Sequence, residues 1–138
     1  GLMSKVDVSI YAKPEYNYDK MGQIYSGIRK GFDVSIYSNF EFNEWQMEEI
    51  RKGLENGVDV SIYSYTELDW DKMQQIRWGL ERKLDVSLYA SPEFTWEQMR
   101  EIRLALQENI DVSIFLNPSI SDEEMYDIRK SQLELLSE

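Results

Sequence analysis

Hydrophobic and polar positions follow one another along this chain in a pattern that repeats every 26 residues. The segment Asp-Val-Ser-Ile-Tyr, or a close variant, starts at Asp7, Asp33, Asp59, Asp85 and Asp111. Two apolar columns keep the same register: Met21, Met47, Met73, Met99 and Met125, and Ile24, Ile50, Ile76, Ile102 and Ile128. A fixed period of this length is typical of tandem-repeat proteins, in which neighbouring repeats bury each other's apolar faces. We therefore interpret residues 1–138 as a single repeat domain with repeats at 7–32, 33–58, 59–84, 85–110 and 111–136.

Each repeat carries the signature of one amphipathic helix. In the fourth repeat, Thr95 and Gln98 form a capping box, and Phe94 and Met99 are spaced as a hydrophobic staple. Ile102 continues the apolar stripe at helical spacing. The N-cap column consists of Asn17, Asn43, Asp69, Thr95 and Ser121. The five agreeing copies predict a helix starting at this point of every repeat.

Glycine and asparagine mark two further features of the predicted helices. A column of small residues lies beside the apolar stripe: Gly27, Gly53, Gly79, Ala105 and Ser131. Glycine within a helix costs about 1 kcal/mol relative to alanine, so this column predicts a close approach by the neighbouring helix. Helix ends are predicted near Gly31, Gly57, Lys83 and Asn109, because glycine and asparagine suit a left-handed C-terminal turn.

The Asp-Val-Ser-Ile-Tyr segment fits two structures. Its alternating, β-branched composition favours a short strand, which would give an α/β horseshoe resembling leucine-rich repeats. Against a strand, the aspartates would stack about 4.8 Å apart in a parallel ladder and repel each other. Alternatively, the aspartate caps a short helical turn whose valine and tyrosine point inward. We favour this second structure, an all-α solenoid in which each repeat is a short helical turn and a helix of about 13 residues.

The clearest copy of the repeat, from Asp85 to Leu106, reads Asp-Val-Ser-Leu-Tyr-Ala, then Pro-Glu-Phe, then Gln-Met-Arg-Glu-Ile-Arg. This pattern resembles short tandem repeats of bacterial proteins of uncertain function, some of which are linked to mobile genetic elements. The resemblance covers nearly the whole chain. In those repeats the residue between serine and tyrosine is often polar, which favours the helical interpretation. The resemblance implies no catalytic or binding residues.

Composition narrows the class of protein. Hydrophobic residues make up 42% of the chain, which is too rich for disorder, and no apolar run is long enough to span a membrane. The absence of cysteine excludes disulfides and thiolate metal sites. The chain shows no charged-then-apolar leader, so we expect a cytoplasmic protein.

Catalytic chemistry has few candidate residues in this sequence. Histidine and cysteine are both absent, which removes the usual nucleophile and base arrangements and most transition-metal sites. The 26 acidic residues fall mostly at predicted helix-surface positions, and no glycine-rich phosphate loop is present. We therefore expect no enzymatic activity and no cofactor.

Arginine and tryptophan are the remaining candidates for a functional role. The arginine column Arg51, Arg77, Arg103 and Arg129 is interpreted as structural, paired with the equally regular aspartate column. The tryptophans occupy varying columns and are therefore freer of packing constraints. Since tryptophan is a preferred binding anchor, the possible partner-binding residues are Trp45, Trp70, Trp78 and Trp96.

The net charge of −11 disfavours direct binding of nucleic acid or an anionic membrane. The sequence therefore favours a non-enzymatic scaffold for protein–protein interaction. The alternative is an acidic decoy that occupies a nucleic-acid-binding protein, as a mobile-element setting would suit.

The two ends of the array differ. In the last repeat Gln132 stands in the column of Leu106 and several leucines follow, so we expect a degenerate C-terminal cap. The first repeat, around Ile10 and Tyr11, has no comparable cap ahead of it. We therefore expect either a homodimer joined through the N-terminal repeat or a longer parent protein.

Overall fold

The structure is a computed structural model that describes residues 18–38 and 41–136. Five α-helices follow one another in these residues: α1 (Tyr18–Arg29), α2 (Glu44–Glu55), α3 (Trp70–Glu81), α4 (Trp96–Gln107) and α5 (Asp122–Leu136). Four short 3-10 turns lie between them: Val34–Ile36, Val60–Ile62, Val86–Leu88 and Val112–Ile114. Residues 18–38 and 41–136 contain no strand. The all-α repeat is confirmed and the α/β horseshoe is wrong.

Contacts between residues divide the chain into two compact units, Gly1–Thr66 and Glu67–Glu138. In the N-terminal unit α1 packs against α2, and in the C-terminal unit α3 packs against α4 and α4 against α5. Each 3-10 turn packs on the helix that precedes it in the chain. The Asp7–Tyr11 segment of the first repeat, and with it the predicted homodimer surface around Ile10, lies outside the described residues.

Helices α2 to α5 begin directly after the N-cap residues predicted from the sequence. Asn43 and Thr95 form complete capping boxes with Gln46 and Gln98, as their spacing predicted. The Ser121 hydroxyl accepts a hydrogen bond from the Glu124 amide. Asp69 occupies the same position without a side-chain cap bond. Three of the four described cap residues therefore satisfy an amide that the first helical turn leaves unpaired.

The helix ends confirm the predicted left-handed turns. Gly31 and Gly57 have φ values of +83° and +73°, and Lys83 and Asn109 have φ values of +60° and +59°. Two backbone bonds close each end, as at the second helix, where the Gly57 and Val58 amides bond back into the last turn. The chain therefore reverses at the same point of each repeat and leads directly into the next aspartate.

The core is built from columns that recur in every described repeat. Met47, Met73, Met99 and Met125 are fully buried, as are Ile24, Ile50, Ile76 and Ile102. The staple partners Phe42, Leu68 and Phe94 are also buried. Consecutive repeats share hydrogen bonds as well: Lys72 Nζ donates to the Pro92 carbonyl at 2.9 Å, and Gln98 Nε2 donates to the Pro118 carbonyl at 2.9 Å. Within the C-terminal unit, successive repeats are therefore joined by polar contacts as well as by apolar burial.

The small-residue column faces a different neighbour from the one expected. A β-carbon on Gly79 would lie 2.1 Å from the Tyr89 hydroxyl oxygen and 2.6 Å from Val86 Cγ1. The close approach therefore comes from the following repeat's 3-10 turn, and the expected neighbouring helix is wrong. The Tyr89 hydroxyl donates to the Gln75 carbonyl at 2.7 Å, and burial raises the pKa of Tyr89, so it remains a neutral donor.

Candidate partner-binding surface

The 3-10 turns present one face to the core and the other to solvent. In such a helix, side chains three residues apart eclipse each other. Val34 and Tyr37 therefore share the inner face, where they are 5% and 0% exposed. Asp33 and Ile36 share the opposite face, and both are exposed. Every described turn repeats this division, which puts one carboxylate beside one aliphatic side chain.

The aliphatic column of the turns is more exposed to solvent than the other apolar columns. Ile36, Leu88 and Ile114 are 37%, 36% and 53% exposed, and Ile62 is half-buried. The valine and aromatic columns of the same turns are buried throughout the described residues. We call the outer face of the turns the turn strip. It consists of Asp33, Ile36, Asp59 and Ile62 in the N-terminal unit, and of Asp85, Leu88, Asp111 and Ile114 in the C-terminal unit.

Each aspartate of the turn strip is oriented by the serine two residues later. Asp33 Oδ1 accepts hydrogen bonds from the Ser35 amide at 3.1 Å and from the Ser35 hydroxyl at 2.6 Å. Asp59 and Asp85 make the same pair of bonds, and Asp111 accepts from the Ser113 amide at 3.0 Å. The predicted N-cap role of the aspartates is confirmed.

These hydrogen bonds favour the ionised form of two aspartates of the turn strip. Bonds from the Ser35 hydroxyl and amide lower the pKa of Asp33, and bonds from the Ser113 amide and hydroxyl lower that of Asp111. Both carboxylates are therefore ionised at neutral pH.

Removal of the serine hydroxyl tests this electrostatic effect. The pKa of Asp33 should lie below 3.8 in the folded protein, and Ser35→Ala should raise it towards that value. Because the folded pKa is the lower one, the ionised cap stabilises the turn at neutral pH, and this contribution is lost as pH falls through the folded value. Carboxyl-carbon NMR titration measures the shift. An unchanged Asp33 pKa in Ser35→Ala would contradict the assigned cause.

The four predicted tryptophans are divided between the two compact units. Trp45 lies in the N-terminal unit and is 53% exposed, whereas Trp70, Trp78 and Trp96 lie in the C-terminal unit. Trp70 is 40% exposed, and the other two are half-buried. Their role in binding a partner stays a prediction.

Arginine side chains cover the two half-buried tryptophans. The Arg103 guanidinium lies 5.2 Å from the centroid of the Trp78 ring, and the Arg100 guanidinium lies 5.2 Å from that of Trp96. At these distances a cation–π attraction holds each pair together. Trp78 therefore joins α3 to α4, because Arg103 belongs to α4.

Arg103 and Arg129 bond to side chains outside the aspartate column, so the predicted pairing is wrong for these two arginines. Arg103 Nε donates to Gln75 Oε1 at 2.9 Å, and Arg129 Nε donates to Glu101 Oε1 at 3.1 Å. Each partner lies 28 residues earlier, on the preceding helix. The aspartates instead cap their own turns. The two columns share the same period, but the fold decides which residues meet.

An open groove of about 410 Å³ runs between α4 and α5. It is lined by Arg100, Glu101, Asp122, Glu123, Tyr126 and Asp127. Glu101 is buried and bonded to Arg129. The groove is acidic, but its deepest carboxylate already has a partner from α5.

The turn strip was not predicted from the sequence. An aliphatic residue in every repeat indicates a core position when only composition is considered. The available signal was the three-residue eclipse of a 3-10 turn, which places this residue beside the polar aspartate. That argument requires the turn type, which the sequence left open.

No protein-family model matches this chain, and no curated protein or solved structure matches it significantly. Among the described helices, none is long and apolar enough to cross a membrane. Within residues 18–38 and 41–136, no group of three or more acidic side chains is placed to hold a metal ion. The candidate site is therefore defined by surface chemistry alone.

Proposed function

We propose that this protein is a non-enzymatic cytoplasmic scaffold that binds a partner protein through the turn strip. The observation that carries the proposal is the exposed aliphatic column of Ile36, Leu88 and Ile114. A single exposed aliphatic residue needs no explanation. Packing within the repeats does not explain why an aliphatic residue is exposed at the same position of several repeats. Burial against a partner does account for it.

The surrounding chemistry supports protein recognition. Aliphatic side chains supply area that is favourable to bury, and the neighbouring carboxylates supply orientation and selectivity. Helical-repeat proteins commonly present such extended surfaces, because each repeat adds one copy of the same contact. Exposed Trp45 and Trp70, at the starts of α2 and α3, offer additional anchors.

A second candidate is the acidic decoy that occupies a nucleic-acid-binding protein. It is favoured by the hydrogen-bonded carboxylates that recur in the turns of both units, at Asp33, Asp59, Asp85 and Asp111. The resemblance to repeats linked to mobile genetic elements points in the same direction. The exposed aliphatic column is not needed for such mimicry, which makes the scaffold the better-supported function.

Affinity capture from the native host tests the proposal with two matched variants. The double variant Leu88→Ser/Ile114→Ser removes the apolar part of the strip in the C-terminal unit, and Leu135→Ser removes an exposed aliphatic side chain elsewhere in the same unit. We expect the first variant to lose the captured protein and the second to retain it, because the strip forms the contact. Circular dichroism should show both variants folded, since the altered residues are exposed.

The decoy makes a different prediction in the same experiment. It requires a captured nucleic-acid-binding protein that is released by competing nucleic acid and remains bound to Leu88→Ser/Ile114→Ser. Retention of every partner by this double variant would contradict a scaffold that binds through the turn strip.

A further inference from the structure

We infer that the turn strip of the C-terminal unit recognises an extended, basic segment of the partner, in which an apolar residue recurs at every third position. This inference rests on the proposed function and adds the chemistry of the partner. It uses Asp85, Leu88, Asp111 and Ile114, which lie in the same compact unit.

The charge of the partner follows from the aspartates. Asp111 carries a lowered pKa and is ionised, and Asp85 is held by the same hydrogen-bond pattern. A carboxylate can accept about four hydrogen bonds, so Ser113 on Oδ1 leaves Oδ2 of Asp111 able to accept from a partner's lysine or arginine. The net charge of −11 adds long-range attraction for a basic segment and repels a second copy of this chain.

The spacing of the partner follows from the packing of the helices. The turns Val86–Leu88 and Val112–Ile114 pack on α3 and α4, which pack against each other. Packed helices lie about 8–10 Å apart, and we expect successive turns to share that spacing. A segment in the extended polyproline II conformation advances about 3.1 Å per residue with about three residues per turn, so roughly three residues cover one repeat and every third side chain points the same way. An apolar side chain at every third position would then meet Leu88 and Ile114 in turn.

The acidic groove between α4 and α5 is the competing place for a basic segment. Its carboxylates include Asp122, Glu123 and Asp127. It offers no repeated apolar contact, so it would attract positive charge without selecting a three-residue period. Glu123→Gln is therefore the matched control for a charge removed from the turn strip.

A fluorescent peptide of three Leu-Arg-Ser triplets is the probe, measured by anisotropy against the full chain. The comparison peptides have the same composition with leucine at every second position, or glutamate in place of each arginine. We expect the triplet peptide to bind at least about tenfold more tightly than either, since burying an apolar anchor contributes that much.

Substitutions in the full chain test where the peptide binds. Ile114→Ser should weaken binding of the triplet peptide at least about tenfold. Asp111→Asn keeps a good N-cap but removes the charge, and should weaken binding about two- to fivefold and reduce its salt dependence. Glu123→Gln should leave the affinity unchanged.

Three results would overturn the inference: equal affinity for the two leucine spacings, no effect of Ile114→Ser, or equal loss in Glu123→Gln and Asp111→Asn. These results differ from failure of the proposed function. If Leu88→Ser/Ile114→Ser loses the captured partner while the triplet peptide does not bind, the scaffold function stands and the basic, three-residue chemistry is wrong.

Discussion

Gly79→Ala is expected to lower the free energy of unfolding by about 3 kcal/mol, the upper end of the usual cost of overpacking a core. The added β-carbon would lie 2.1 Å from the hydroxyl oxygen of Tyr89, a side chain with no exposed surface and therefore no free space to move into. The helix propensity of alanine offsets only about 1 kcal/mol of this clash. Urea denaturation followed by circular dichroism measures the change.

The fourth repeat shows how the same interface accommodates alanine. Ala105 stands in the glycine column, and the next turn carries Phe115 where the other repeats carry tyrosine. Both residues are fully buried. Without the hydroxyl, the ring leaves room for a methyl group. Tyr89→Phe should therefore recover at least about 1 kcal/mol in the Gly79→Ala background, although on its own it loses the hydrogen bond to Gln75.

Gly22→Ala is the matched control. Gly22 also lies within a helix, but an added β-carbon there would meet no atom within 4 Å. This substitution should stabilise the protein by up to about 1 kcal/mol through helix propensity.

Additive effects of Gly79→Ala and Tyr89→Phe on the free energy of unfolding would contradict the explanation. They would show that the tyrosine hydroxyl is not what excludes an alanine side chain at position 79.

Arg129→Met is expected to cost about 3 kcal/mol, because it leaves the buried carboxylate of Glu101 without its partner on α5. Only 3% of the Glu101 side chain is exposed. Arg129 also donates to Glu108 at 2.8 Å. Burial opposes the charge of Arg129, but its hydrogen bonds to Glu108 and Glu101 outweigh this effect and raise its pKa. Arg100 stays 3.4 Å from Glu101 and limits the loss.

Glu101→Gln is the matched substitution, because the repeat already contains that arrangement. Arg103 Nε meets the neutral Gln75 Oε1 at 2.9 Å in the same geometry. Glu101→Gln should therefore cost only about 1 kcal/mol, the net value of one ordinary hydrogen bond. In the Glu101→Gln background, Arg129→Met should cost less than it does in the original chain. Equal costs in the two backgrounds would show that the buried charge is not the cause.

The helices and their ends were predictable because their causes are local. The capping boxes of Asn43 and Thr95 need only residues three positions apart, and the left-handed ends at Gly31 and Gly57 need only the permissive backbone of glycine. The repetition of each signal along the chain made the inference stronger than any single copy would. The buried methionine and isoleucine columns followed from helical periodicity in the same way.

The candidate surface was less predictable. Tryptophan was the expected anchor because its columns vary, yet arginines cover Trp78 and Trp96 and leave both half-buried. The exposed Ile114 belongs to a column that looked structural because it is always apolar. A residue type that recurs in every repeat is under a shared constraint. The recurrence does not show whether that constraint comes from packing in the core or from binding a partner.

By itself, the sequence determined the period and the positions of the helices, and it favoured a capping role for the aspartates, because helix capping depends on residues only a few positions apart. Only the tertiary structure decided which columns meet. It placed Arg129 against Glu101 rather than an aspartate, and Tyr89 rather than a helix against Gly79. Such pairings depend on the offset between neighbouring repeats, and every column has the same 26-residue period, so periodicity cannot distinguish one offset from another.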